Sequence, residues 1–263
     1  MVTALEASIT KLWNDGAGDF SCVSEAMAQL DSGKLRVAEK NDGRWIVHDY
    51  LKKAILLFFR YTKAEIMDGV GCKYFDKIPL KTKDWSAEQF SLAGFRLVPG
   101  AVVRYSAHIG KSAIVMQSFV NVGAFVDEGS MIDTNVLVGS CAQVGKRCHI
   151  SDGVTLGGVL EPLQSLPVIV EDNCFIGVKS SLTEGVVVGT GAVLAAGTHI
   201  TSSTRIIDRS SGAVSNGQIP PYSVVVPGTY STGDTLAINC AIIVKYVTEQ
   251  TREKTAINEL LRL

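Results

Sequence analysis

Apolar positions in the middle of this chain recur every six residues. The series runs Ile114, Val120, Val126, Ile132, Val138, Val144, Ile150 and Leu156, and resumes at Val170, Ile176, Leu182, Val188, Leu194, Ile200 and Ile206. Four residues after thirteen of these beats stands a small or β-branched residue: Ser118, Ala124, Ser130, Val136, Ala142, Cys148 and Val154, then Cys174, Ser180, Val186, Ala192, Thr198 and Thr204. Gly follows the beat directly at Gly139, Gly145, Gly157, Gly177 and Gly189. An amphipathic helix repeats about every 3.6 residues and a half-buried strand every two, so neither produces this pattern. A parallel β-helix does: each hexad is a short strand and a turn, and three hexads close one triangular coil. The beat residues point inward and stack, so Ile114, Ile132 and Ile150 are expected in one ladder. The small residues fit tight corners, and the glycines are expected to adopt backbone angles closed to other residues. A β-sandwich also uses short strands, but it does not hold a strict six-residue register.

The flanks lack the beat. Leu5, Ile9, Leu12 and Trp13 lie at helical spacing, and Ser21 to Leu30 reads as a second helix ended by Asp31-Ser32-Gly33. Arg36 to Val47 reads as a hairpin about Asn41-Asp42-Gly43. Asp49 is a candidate cap for a helix from Tyr50 to Arg60, with Leu51, Ile55, Leu56 and Phe59 on its buried face. The coil is entered between Val98 and Ile109, with a slip of one residue before Ile114. After Ile206 the beat fades; Pro220 to Gly228 closes the coil, and Leu236 to Val247 reads as a strand. Thr248 to Leu263 reads as an amphipathic helix, with Ile257, Leu260 and Leu261 apolar, covering the open end. The expected fold is mainly β: a small, mainly helical N-terminal domain over 1–95, a coil over 96–219, and a strand and helix cap over 220–263. The one break in the beat, between Leu156 and Val170, places a loop over 158–167 at a corner of the coil. Its glycines, prolines and apolar residues point to function rather than to solvated filler.

Composition narrows the function. The 263 residues are 46% hydrophobic with a net charge of -1, which gives no electrostatic case for nucleic acid or an anionic membrane. No stretch has the roughly 20 apolar residues of a spanning helix, and no secretory signal is read at the N-terminus. Cys22, Cys72, Cys141, Cys148, Cys174 and Cys240 have no CxxC spacing, so reduced thiols in the cytoplasm are expected. His48, His108, His149 and His199 offer no three convergent ligands, so no metal is expected. His149 and His199 each precede a beat residue, a position compatible with a groove, and are read as exposed corner residues.

Ordered words along the chain go further. They include Tyr74-Phe75-Asp76-Lys77-Ile78-Pro79, Phe95-Arg96-Leu97-Val98-Pro99, Val120-Asn121-Val122-Gly123-Ala124 and Met131-Ile132-Asp133-Thr134. Val138 to Lys146, Gly157 to Gln164 (GGVLEPLQ), Glu171 to Gly177, Cys240 to Lys245 and Ile257 to Arg262 continue the set. From about residue 44 onward the chain closely resembles the tetrahydrodipicolinate N-succinyltransferases, and it does so more weakly before that. The resemblance, and not the period, implies a left-handed coil, against the usual right-handed rule for parallel crossovers. It also implies a homotrimer with active sites between subunits, no permanently bound cofactor, and succinyl-CoA as co-substrate. The implied acceptor is ring-opened tetrahydrodipicolinate, whose amine becomes succinylated to give N-succinyl-2-amino-6-oxopimelate in lysine and diaminopimelate synthesis.

The resemblance also assigns roles. Arg96 binds the dicarboxylate acceptor, a task suited to the planar guanidinium fork. Asp133 contacts the acceptor amine and is the candidate base or orienting group. Where the family commonly reads Gly-Ala-Arg-Ser-Glu, this chain has Gly177-Val178-Lys179-Ser180-Ser181, so an active-site Glu of relatives aligns with Ser181. The usual Asp-Thr-Trp is Asp133-Thr134-Asn135 here. Asp133 then works alone, or Glu184 or water substitutes. CoA is expected along a groove between coils lined by Gly139, Ser140, Ala142, Gly157, Gly158, Ala195 and Gly197, with Lys179 and Arg205 toward its phosphates. Fold alone leaves other readings open: another donor such as acetyl-CoA, another acceptor, or a catalytically silent solenoid.

Overall fold

The computed structural model describes residues 3–16, 18–69, 72–233 and 235–254. Its center is a left-handed parallel β-helix with three faces. The first face holds Arg96–Leu97, Ile114–Val115, Met131–Ile132, His149–Ile150, Phe175–Ile176 and Val193–Leu194. The second holds Val102–Val103, Phe119–Val120, Leu137–Val138, Thr155–Leu156, Ser181–Leu182 and His199–Ile200. The third holds His108–Ile109, Phe125–Val126, Gln143–Val144, Ile169–Val170, Val187–Val188 and Gln218–Ile219. In each two-residue strand the second residue enters the core, and the first lies on the outer surface of the coil.

The pairings correct the beat at both ends. Ile132 stacks on Ile150 and on Val115, while Ile114 pairs with Met131 on the outside. The inward series therefore runs Leu97, Val103, Ile109, Val115, and the shortened step falls between Val115 and Val120. At the other end Ile206 is buried but does not join the ladder. The strand Arg205–Asp208 pairs instead with Val214–Asn216 and with Ala237–Tyr246. Ile219 takes the next place above Val188, after an excursion that the fading beat concealed.

The glycines that follow the beat are also explained differently. Gly139, Gly145, Gly157, Gly177 and Gly189 are not among the residues with positive φ. They are needed because successive coils touch there. A Cβ on Gly139 would lie 2.6 Å from the Gly157 carbonyl carbon and nearer still to the Gly158 nitrogen. The left-handed backbone falls two positions later in each turn, at Asn135, Cys141, Arg147, Gly153, Asn173, Lys179 and Gly197.

The N-terminal region is built by α1 (Ala4–Asp15), α2 (Ser21–Ser32), a hairpin of Ala38–Asn41 and Arg44–Val47, and α3 (Asp49–Tyr61). The hairpin turns at Asp42 and Gly43, both with positive φ, as its sequence predicts. Asp49 lies in the first turn of α3 rather than capping it, and pairs with Lys53 at 2.9 Å. The buried face of α3 carries Leu51, Ala54, Ile55 and Leu57, and also Lys52, which is fully buried. Two further elements had no signal in the hydrophobic pattern: a hairpin of Glu65–Gly69 with Cys72–Asp76, and α4 (Ala87–Ala93), which starts at a capping box of Ser86 and Gln89. The C-terminal strand Ala237–Tyr246 runs antiparallel to Ser223–Ser231, and the helix that follows begins at Glu249. Ile257, Leu260 and Leu261 lie outside the described residues. All six cysteines are unpaired. Among the described residues, no helix is long and apolar enough to cross a membrane.

Candidate active site

The chain passes from the first face to the second across one edge of the prism, which carries Asp133. Asp133 Oδ1 accepts the Thr134 N–H at 2.7 Å, which is the local bond that makes Asp suit a turn. Its Oδ2 stands 3.6 Å from His149 Nε2, beyond a direct hydrogen bond, and both side chains are part-exposed. His149 is the outward residue one coil above Met131, and its ring packs on Phe175 at 5.3 Å. Arg96 is exposed on the same face, two coils toward the N-terminal end. Farther along this edge, Lys179 Nζ meets Asp152 Oδ2 at 3.0 Å. That bond, with one from Asn135, holds the Asp152 carboxyl below its ordinary range. Ala195 and Gly197 follow one coil later, with the Gly197 N–H donating to the Val178 carbonyl.

The edge between the second and third faces is different. Gly139, Ser140, Gly157 and Gly158 stack there, and the Val159 N–H donates to the Ser140 carbonyl at 3.1 Å. The loop 158–167 leaves from this edge and folds back on the N-terminal region. Lys52 Nζ donates to the Ser165 carbonyl at 2.7 Å, and Leu160 packs into the helical core. Burial lowers the Lys52 ammonium below its usual range, and raises the neighbouring Cys141 thiol to about 12. Such a thiol is no nucleophile near neutral pH. Glu184 stands on this second edge as well. It accepts from the Ser202 hydroxyl at 2.6 Å and from the Ser202 N–H at 3.3 Å.

Asp133 and Glu184 are therefore on different edges of one chain, with the whole second face between them. The residues expected to line a donor groove divide the same way. Lys179, Ala195 and Gly197 are on the first edge, and Gly139, Ser140, Gly157 and Gly158 on the second. Ala142 is fully buried in the coil core, so its side chain lines no groove. Arg205 lies at the far end of the coil, its guanidinium 4.3 Å from the center of the Tyr230 ring. The second face between the edges carries Phe119 and Leu137, 37% and 36% exposed, then Thr155, Ser181 and His199. Ser181 Oγ and His199 Nδ1 are 2.8 Å apart. This pair was not anticipated, although both residues precede a beat and stand one coil apart.

Known proteins resemble this chain. The N-terminal family model of tetrahydrodipicolinate N-succinyltransferase matches residues 4–61, and the hexapeptide repeat of succinyl-transferase matches residues 167–202. The 2,3,4,5-tetrahydropyridine-2,6-dicarboxylate N-succinyltransferase of Caulobacter vibrioides is 56% identical over 92% of this chain and 90% of its own length. That of Dechloromonas aromatica is 48% identical over the full length of both. The chain belongs to the tetrahydrodipicolinate N-succinyltransferase family. Its reaction is accordingly succinyl transfer to the nitrogen of an acceptor, a step in diaminopimelate and lysine synthesis. The family match begins at residue 4, well before the region where the sequence words become distinctive, so the N-terminal helices are family structure too. A solved Campylobacter jejuni chain, assigned as a 2,3,4,5-tetrahydropyridine-2-carboxylate N-succinyltransferase, shares the fold with a TM-score of 0.55 at 15% identity. That likeness covers 86% of this chain and 63% of the Campylobacter one.

Proposed function

We propose that this member of the tetrahydrodipicolinate N-succinyltransferase family takes its succinyl group from succinyl-CoA. The acceptor is the amine of ring-opened tetrahydrodipicolinate, and the enzyme works as a cytoplasmic homotrimer. The observation that carries the reading is the placement of Arg96 and Asp133 on one open side of the coil, in a chain about half identical to the curated enzymes along its length. Arg96 grips an acceptor carboxylate and Asp133 orients the amine. The donor lies along the edge of Lys179, Ala195 and Gly197, and meets Gly139, Ser140, Gly157 and Gly158 of a neighbouring subunit. Residues on two edges of one prism serve one donor only where two subunits meet. The exposed Phe119 and Leu137 on the face between those edges suit such a contact. Arg205 reaches toward the CoA phosphates from the coil end. Six unpaired thiols suit a reducing compartment.

The test is release of CoA thiol from succinyl-CoA with and without the acceptor, with acetyl-CoA as the control donor. Acceptor-dependent release that favours succinyl-CoA supports the reading, and equal use of acetyl-CoA removes its donor assignment. Asp133→Asn is expected to cut turnover by at least about 100-fold while the trimer elutes unchanged on size exclusion. Near-normal turnover in that variant takes Asp133 out of the mechanism.

A further inference from the structure

Glu184, the carboxylate that sequence offers as a second catalytic group, is tied to the backbone and hydroxyl of Ser202 and fastens two successive turns of its edge. The second face, between the two edges, carries a different proton acceptor. Ser181 and His199 are register neighbours on adjacent parallel strands, so the ladder fixes their separation. The Ser181 N–H donates to the Thr198 carbonyl and the Thr183 N–H to the Ile200 carbonyl, which pins both strands. Ser181 Oγ lies 2.8 Å from His199 Nδ1. The His199 ring is exposed, and among the described residues no partner engages its Nε2. Two residues before each member of the pair stands a residue of the donor edge: Lys179 before Ser181 and Gly197 before His199.

We propose that His199 takes the proton released by the acceptor amine, and that Ser181 is its positioning residue. The inference rests on the succinyl-transfer reading above. With Nδ1–H donating to Ser181 Oγ, the imidazole lone pair is on Nε2, on the open side of the ring. The amine nitrogen forms a bond to the succinyl carbonyl carbon, and the bond from that carbon to sulfur breaks. The proton lost by nitrogen passes to Nε2 and from there to the departing thiolate, so no other reactant is required.

The geometry adds a condition. Leu137, in the coil of Asp133, is separated from His199 by three steps of the ladder, through Thr155 and Ser181. At about 4.8 Å per step this is about 14 Å along the axis, too far for both residues of one chain to touch one amine. For both residues to act on one amine, the Asp133 that orients it and the His199 that deprotonates it have to come from different subunits of the trimer proposed above.

The test compares the full-length parent with His199→Ala and Ser181→Ala in the thiol-release assay. Circular dichroism checks that these surface variants keep the coil. His199→Ala is expected to lose about 100-fold or more in kcat. Added imidazole should restore part of the loss, and so should mixing with Asp133→Asn subunits, which rebuilds sites holding both residues. Ser181→Ala is expected to lose about tenfold in kcat with KM unchanged, the worth of one hydrogen bond. A His199→Ala variant within about threefold of an active parent overturns the proposal. So does a loss that neither imidazole nor mixing relieves. A parent that releases no thiol with the acceptor present sinks the succinyl-transfer reading itself, and this proposal with it.

Discussion

Inside the coil, Ile109, Val126, Val144, Val170, Val188 and Ile219 stack as like upon like. Where the N-terminal region rests on the third face and its edges, no two contacts are alike. Arg36 lies 3.7 Å above the Phe125 ring and donates to Gln143 at 3.1 Å. The Ser106 N–H donates to Asp31 at 2.9 Å, and Lys81 holds that carboxylate at 2.7 Å, with both side chains largely buried. Glu171 receives Lys40 at 2.6 Å, Trp45 at 2.9 Å and Thr190 at 3.0 Å. Lys52 serves a loop carbonyl. The coil gains its stability from repetition, where each branched residue covers the next and no single pairing is special. The joint gains orientation from directional polar contacts, each of which costs desolvation unless its partner is present. The coil is thus limited by how closely its turns stack, and the joint by whether each charge keeps its partner.

The largest expected effect follows from the stacking limit. Gly139→Ala puts a Cβ into the backbone of the turn above, where no flexible side chain can give way. It is expected to cost about 3 kcal/mol, the upper end of overpacking penalties. For a chain of this size that corresponds to a Tm lowered by about 10 °C at fixed protein concentration. Thermal unfolding followed by circular dichroism reads it. A shift of only a degree or two would mean that the coils part easily, and that stacking is not what limits them.

The same contrast explains what was legible beforehand. The period was legible because repetition averages over single residues. It still misplaced the first rung. Ile114 and Val115 are both apolar, and a pattern alone does not say which faces inward when a corner is one residue short. Ile206 misled for the same reason, since it is buried in either arrangement. The joint was not legible, because Lys52 and Glu171 look like solvent-facing charges until the partner that satisfies them is known. The site falls between these cases. Arg96 and Asp133 came from resemblance, and no physical pattern singles them out. The pairs Ser181–His199 and Glu184–Ser202 each span one coil of 18 residues, so the period already implied that their members are neighbours. Which pair lies on a face of the coil and which on an edge is given only by the folded chain.

The middle-sized prediction probes the joint. Burial pushes the Glu171 carboxyl up, but hydrogen bonds from Lys40, Trp45 and Thr190 outweigh it and hold the group below its ordinary value. A depressed carboxylate contributes stability that is present above its unfolded value and is lost as pH falls through the folded one. The contribution of Glu171 is therefore complete at neutral pH and drains away as the pH falls through its depressed folded value. Glu171→Gln keeps the shape and leaves Lys40 without its charge partner, so it should cost about 1 to 2 kcal/mol at pH 7. The gap from the parent should close as the pH is lowered. Urea unfolding at pH 7 and pH 4 measures both. A gap that is the same at the two values would show that the charge of Glu171 is not what holds the joint.

The smallest expected effect sharpens the account of the coil. Gly197 has φ 69, and a Cβ there would meet nothing within 4 Å. Gly197→Ala therefore meets only the backbone penalty of the left-handed region, about 1 kcal/mol, partly offset by the entropy the unfolded chain loses. Asn135, Cys141 and Lys179 already take this conformation at equivalent corners with full side chains, so the coil accommodates it. The expected loss is under about 1 kcal/mol, several times smaller than for Gly139→Ala. If the two variants lose equal stability in the same unfolding experiment, backbone angle and not close approach governs the corners. The glycines after each beat would then have to be explained by something other than the turn stacked above them.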